Sequence, residues 1–409
     1  MRTFIAYAFT VALGLTCSLH GSAEEWPGWL GPRRDGTSTE TITPWRDSPK
    51  ILWKAPVSEG HSSPIVAGGL VLLHTRVSGK NAEVLTARDA KTGTTVWSAE
   101  TVRDPFENAF GTGPRATPAT GSGKVVSHGV TGILACRELK TGKELWKIDT
   151  LREFDGKNLY FGVSSSPLVD GERLFVMVGG KQSGIVCLSL ADGKTLWKSL
   201  DDRASYSSPI LTGEGANRRL IVLTQAGVVS LDPLTGKQDW KYPLVDKLNE
   251  SSTTPVMLGN SIMAASVTYG AVGLNPAAGQ ASVAWKNGAL TCYFSTPVLT
   301  KSGGEVLTVT GRLLPPPSSV LRCVEATTGK ELWNKPGVGK YHAALMRLAD
   351  GRFLMHDDFG NISLFEANPQ EFKELSRARV CGATWAHPAL SDGILYIRDE
   401  KDLIALQMR

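Results

Sequence analysis

Short apolar runs separated by glycine-containing turns recur along most of this chain. Residues 167–197 show the pattern clearly: Leu168-Val169, Leu174 to Val178, Ile185 to Leu188 and Thr195-Leu196-Trp197, with turns at Asp170-Gly171 and Asp192-Gly193. Runs this short, rich in β-branched and aromatic residues and joined by Gly turns, predict a four-stranded antiparallel meander rather than helices.

The unit repeats. A small residue, an apolar stretch, an acidic or amide residue, a Gly turn and a Trp follow one another in six copies, ending at Trp97, Trp146, Trp197, Trp240, Trp285 and Trp333. Upstream of each copy stands a second marker, Ser or Thr before Pro: Ser63-Pro64, Thr117-Pro118, Ser166-Pro167, Ser208-Pro209, Thr254-Pro255 and Thr296-Pro297. Degenerate markers follow at Ala343-Ala344 and His387-Pro388, which makes eight at intervals of 42 to 54 residues. Four strands per repeat at this period define a propeller blade, so the pattern predicts an all-β, eight-bladed β-propeller. The eighth repeat ends at Leu403 to Leu406 with one strand too few, while Ile51 to Lys54 precedes the first marker with no blade of its own. The N-terminal strand is therefore expected to complete the last blade and close the ring.

The first residues read as an export signal. Arg2 is followed by an uncharged apolar stretch from Phe4 to Leu15 and by small residues at Gly21-Ser22-Ala23, so cleavage is expected near Ala23, leaving a single propeller domain over 24–409. Cys17 raises lipid modification, but Gly14-Leu15-Thr16 fits a lipoprotein signal poorly; a periplasmic or secreted protein is expected. Loss of residues 1–23 changes the formal net charge from +5 to +4. The charges form no basic run, which argues against nucleic acid as a partner, and no later segment is apolar enough to span a bilayer. A monomer is expected.

The pattern Ala87-x-Asp89-x-x-Thr92-Gly93-x-x-x-Trp97 resembles the tryptophan-docking repeat of the PQQ-binding-like, or quinoprotein alcohol dehydrogenase-like, propellers, a group that also includes a lipoprotein of the outer-membrane barrel-assembly machinery. Trp26 to Gly36 looks like the N-terminal strap of exported members, and Trp385-Ala386-His387-Pro388 like their C-terminal end. The resemblance implies PQQ with Ca²⁺ as a cofactor and alcohol oxidation as an activity. The residues themselves point to no cofactor and no metal. The chain has no adjacent Cys pair and no CxxCH, and Asp357-Asp358 beside Gly360 reads as turn chemistry. The reading from the residues is an exported binding or scaffold propeller that recognises a protein or small ligand; the alternative is a PQQ-dependent alcohol dehydrogenase-like oxidoreductase.

The six repeat tryptophans are expected to wedge between blades rather than meet one ligand. Cys136, Cys187 and Cys323 fill the slot held elsewhere by Ala87, Ser230 and Gly273 and are expected to be inert core thiols. Strand parity places the links between blades on one face. These links are long and variable, notably Trp97 to Pro118 and Trp146 to Pro167, so that face is the candidate binding face. Pro315-Pro316-Pro317 is expected to stiffen the blade 6 loop. Three residues before the second residue of each marker stand His61, Arg115, Ser164, Tyr206, Ser252, Phe294, Tyr341 and Trp385, which should ring the mouth of the central channel. Candidate ligand-binding residues are Arg115, Tyr206, His342, Trp385 and His387; the catalytic residues are unknown.

Overall fold

The computed structural model describes residues 24–312 and 317–409. The expected signal segment, Cys17 and Pro315-Pro316 lie outside them. Eight four-stranded antiparallel sheets follow one another. Blade 3 is representative, with strands Leu168–Asp170, Arg173–Gly180, Ser183–Ser189 and Thr195–Ser199. In blade 8 the N-terminal strand Lys50–Pro56 pairs antiparallel with Asp402–Gln407, Trp53 opposite Ala405. The expected closure is present.

Packing between blades repeats one device. Trp97, Trp146, Trp197 and Trp285 each lie on the Gly turn of the next blade, whereas nothing lies within 4 Å of a Cβ on Gly279, in the blade after Trp240, and Trp333 meets a turn at Asn368. A Cβ added to Gly142 would come within 2.5 Å of Trp97, one on Gly193 within 2.9 Å of Trp146, and one on Gly236 within 2.5 Å of Trp197. These turns also need positive φ, near +73° at Gly142 and Gly193, so glycine is required twice over. The indole N–H donates to a turn carbonyl of the same neighbour: Trp97 to Leu139 (2.9 Å), Trp146 to Leu190 (3.1 Å) and Trp285 to Ala326 (3.0 Å). Trp53 belongs to the set as well. It sits over Gly93 and donates to Ala90 (3.0 Å), so the closing strand docks blade 8 onto blade 1.

The small slot is explained by register. Cys136, Cys187 and Cys323 lie directly across the strand pair from Trp146, Trp197 and Trp333. A Cβ on Gly273 would fall 2.3 Å from the Trp285 ring nitrogen. These three thiols are buried and unpaired, and burial pushes their pKa values up to about 11, about 12 and about 12.

The N-terminal strap crosses the ring axis. Trp26 exchanges two backbone hydrogen bonds with Val66 of blade 1, and Thr120 of blade 2 donates to the Pro27 carbonyl. The buried Arg34 guanidinium donates to the Pro167 and Ser166 carbonyls of blade 3. Trp29 donates to Thr254 of blade 5 (2.9 Å), and Arg347 of blade 7 donates to Gly36. Glu40 then accepts the Asp392 and Gly393 amides in the first hairpin of blade 8. The strap thus plugs the central channel from one side and leaves a funnel open on the face of the interblade links.

Candidate functional site

The hydroxyls before the marker prolines hold the throat of the funnel together. His387 donates its amide to Ser63 Oγ, Ser63 to Thr117 Oγ1, Thr117 to Ser166 Oγ and Ser166 to Ser208 Oγ, at 2.9–3.2 Å. This belt runs from blade 8 through blade 4. Thr254 in blade 5 instead accepts the Trp29 indole N–H. The Ser/Thr preference in the marker is therefore a packing rule between blades.

Above the belt lies a funnel open at its mouth, with a cavity volume of about 120 Å³. Seven of the eight residues expected at the rim line it: His61, Arg115, Ser164, Tyr206, Ser252, Phe294 and Trp385. Tyr341 lines the adjoining groove instead. Among the five proposed ligand residues, Arg115, Tyr206, Trp385 and His387 are brought together. His342 is buried behind the wall, its Nδ1 3.0 Å from Ser295 Oγ and its ring 5.0 Å from that of His387. Trp29, Phe161, Ser166, Ser208, Glu250 and Tyr293 complete the lining. Phe161 belongs to a long link already singled out. The Trp29 side chain reaches the floor only through the strap's long-range path, and Glu250 carries no local signal.

One wall is a continuous set of aromatic contacts. Trp385 stacks with Phe294 (centroids 5.4 Å apart, 17° between planes) and with His61 (5.1 Å, 30°), and Phe294 stacks on Tyr293. His61 Nε2–H donates to the Phe110 carbonyl (2.9 Å); burial and the nearby Arg115 charge lower its pKa to about 4, so the ring is neutral. The opposite wall holds Phe161 against Tyr206 (5.4 Å), with the Tyr206 hydroxyl accepting the Phe161 amide. The two long links clasp each other through Arg152–Asp104 (2.7 Å), Asn108 to the Tyr160 carbonyl (2.7 Å) and Phe110 against Phe161.

Two charges face the funnel. Arg115 donates to the Phe110 and Gly111 carbonyls of its own link (3.1 and 3.0 Å) and lies near the Phe106 and Phe161 rings. Among the described residues no carboxylate pairs with it. Desolvation lowers its pKa to about 10, so it stays charged at neutral pH. Glu250 accepts the Tyr293 hydroxyl, and burial beside that carboxylate raises the tyrosine pKa. On the floor His387 is buried and neutral, its pKa lowered by desolvation to about 3, and its Nε2 has no hydrogen-bond partner.

A calcium-bound quinone needs several oxygen ligands around the metal. The funnel presents one carboxylate, Glu250. Among the described residues no three His, Cys, Asp or Glu side chains are grouped to hold a metal ion, and no cysteine lines the funnel. The residues do not fit that group.

The sequence matches the family described as outer membrane protein assembly factor BamB over residues 36–214 and again over 80–314. No curated protein matches it. Among solved structures it is similar to a europium-containing methanol dehydrogenase (TM-score 0.68, 12% identity, 94% of this chain and 89% of that one). It is also similar to the quinohemoprotein alcohol dehydrogenase of Comamonas testosteroni (TM-score 0.68, 13% identity, 93% and 80%). BamB of Moraxella catarrhalis is a third neighbour (TM-score 0.58, 15% identity, 87% and 98%). At such identities these likenesses concern the fold.

Proposed function

Because the chain belongs to the PQQ-like β-propeller family that the BamB description covers, we propose that it is an exported binding protein whose link face receives a ligand in the central funnel. The observation that carries this reading is convergence. Seven blades contribute a rim residue to one cavity, the strap closes it below, and a cation without a carboxylate partner stands in its wall. A rigid scaffold carrying chemically varied loops is how propellers build recognition sites. Nothing in the lining supplies a base, nucleophile and oxyanion donor in register, so binding rather than turnover is the reading supported. No helix among the described residues is long and apolar enough to cross a membrane.

The test is a small-molecule screen by ligand-observed NMR, with tryptophan fluorescence as a second readout because Trp29 and Trp385 both line the cavity. Hits should lose affinity in a Trp385→Ala/His387→Ala double variant. Equal affinity in that variant would move the site to the outer loops. Addition of PQQ and Ca²⁺ is expected to give no bound-quinone absorbance and no dye-linked alcohol oxidation. N-terminal sequencing of exported protein should begin near Glu24.

A further inference from the structure

The polar groups left open in the funnel define the chemistry of what it would hold. Donors cluster on blades 2 to 4. Arg115 spends its bonds on carbonyls of its own link and has N–H groups to spare; Glu59 and Glu83 act on it only from a distance and, among the described residues, none forms an ion pair with it. Ser166 and Ser208 each accept one belt amide and keep their own O–H proton for an acceptor. Acceptors lie elsewhere. His387 lines the floor with a neutral ring, and Glu250 stands in the wall with one oxygen taken by Tyr293. The wall of Phe294, Trp385 and His61 is aromatic.

We propose that the funnel binds an acidic pyranose, a hexuronate, with its carboxylate at Arg115, its ring against the Trp385–Phe294 wall and its hydroxyls toward His387 and Glu250. This rests on the reading that the funnel is the ligand site. Charge-assisted pairing of a guanidinium with a carboxylate is among the strongest polar contacts available, and the half-buried setting strengthens it. A neutral hexose would leave Arg115 without an anion. An aromatic carboxylate would satisfy Arg115 and the aromatic wall, but would leave the His387 and Glu250 acceptors and the serine hydroxyls facing an apolar ring, and such unmade bonds are costly in an enclosed site. A ring that carries both a carboxylate and hydroxyls answers all of these groups.

The experiment is titration calorimetry at low salt on the intact protein with D-galacturonate and D-glucuronate, compared with galacturonate methyl ester, D-galactose, phenylacetate and L-phenylalanine. At least one hexuronate should bind. The methyl ester and galactose should bind about tenfold or more weakly, since each lacks the charge that Arg115 reads. The hexuronate should lose about as much affinity in Arg115→Gln. That variant's circular dichroism and melting curve are recorded beside it; should it fail to fold, the series on the unaltered protein decides alone. Phenylacetate or phenylalanine binding in preference, with loss in Trp385→Ala, would overturn the sugar assignment and leave the funnel as the ligand site. No binding by any probe would overturn the sugar assignment, and an empty wider screen would overturn the funnel reading with it.

Discussion

The Trp29 indole of the strap lies against the His387 imidazole of the last blade, ring centroids 4.5 Å apart, while its N–H is held by Thr254 of blade 5. One side chain thus joins the floor of the funnel to blades on two sides of the ring. Trp29→Ala should cost about 1–3 kcal/mol, less than a fully buried Trp, because the residue is only partly enclosed. It should also weaken whatever the funnel binds. Denaturant titration and calorimetry together check this; an unchanged stability would mean that the strap does not anchor the plug through this residue.

The docking pairs predict a matched set of lesions. Trp97→Ala should destabilise by about 3–5 kcal/mol. Gly142→Ala should cost more than about 1 kcal/mol, since its Cβ meets Trp97 and its φ is positive. Cys187→Leu should cost about 1–3 kcal/mol by overpacking against Trp197, whereas Cys187→Ala should be milder. Thiol labelling of the native protein should leave Cys136, Cys187 and Cys323 untouched until it is unfolded. A disulfide between any two would contradict the packing account.

Closure by the N-terminal strand predicts a specific failure on truncation. Deleting residues 24–55 removes most of the strand paired with Asp402–Gln407 and also Trp53, which docks blade 8 onto blade 1. The exposed edge should associate. Size-exclusion chromatography should show oligomers, and Trp53→Ala alone should lower the melting temperature while leaving the protein monomeric. A monomeric truncation with unchanged melting would refute the closure role.

Six histidines are held neutral by burial: desolvation lowers His61, His128 and His356 to about 4, His74 and His387 to about 3, and His342 well below its ordinary value. In the unfolded chain an imidazole takes a proton near pH 6.5. Between that value and the folded pKa the unfolded chain binds more protons, so stability is full above about pH 6.5 and falls as the pH drops toward 4. Glu83 opposes this weakly. Burial raises it to about 7, so its contribution is lost as the pH rises from about 4.5 through 7. Burial also raises Asp358, but these two carboxyls face six imidazoles, and the urea midpoint should fall steadily from pH 7 to pH 4.5. A flat midpoint over that range would show that the imidazoles are not buried neutral.

The ring is legible in the sequence. Its strands, turns, docking tryptophans and closing strand follow from contacts within a repeat or between adjacent repeats, and those recur often enough to be read as a pattern. Even the rim was readable, because His61, Arg115, Tyr206, Phe294 and Trp385 hold one register position relative to the marker. Tertiary structure alone decided what the rim encloses. The strap carries Trp29 across the axis to Thr254, 225 residues away in the chain, and so turns a channel into a closed funnel. The pairing of Glu250 with Tyr293 and the burial of His342 behind the wall likewise arise where separate blades meet. No repeat encodes such meetings, because they depend on contacts made once, between residues far apart in the chain, rather than on a local period.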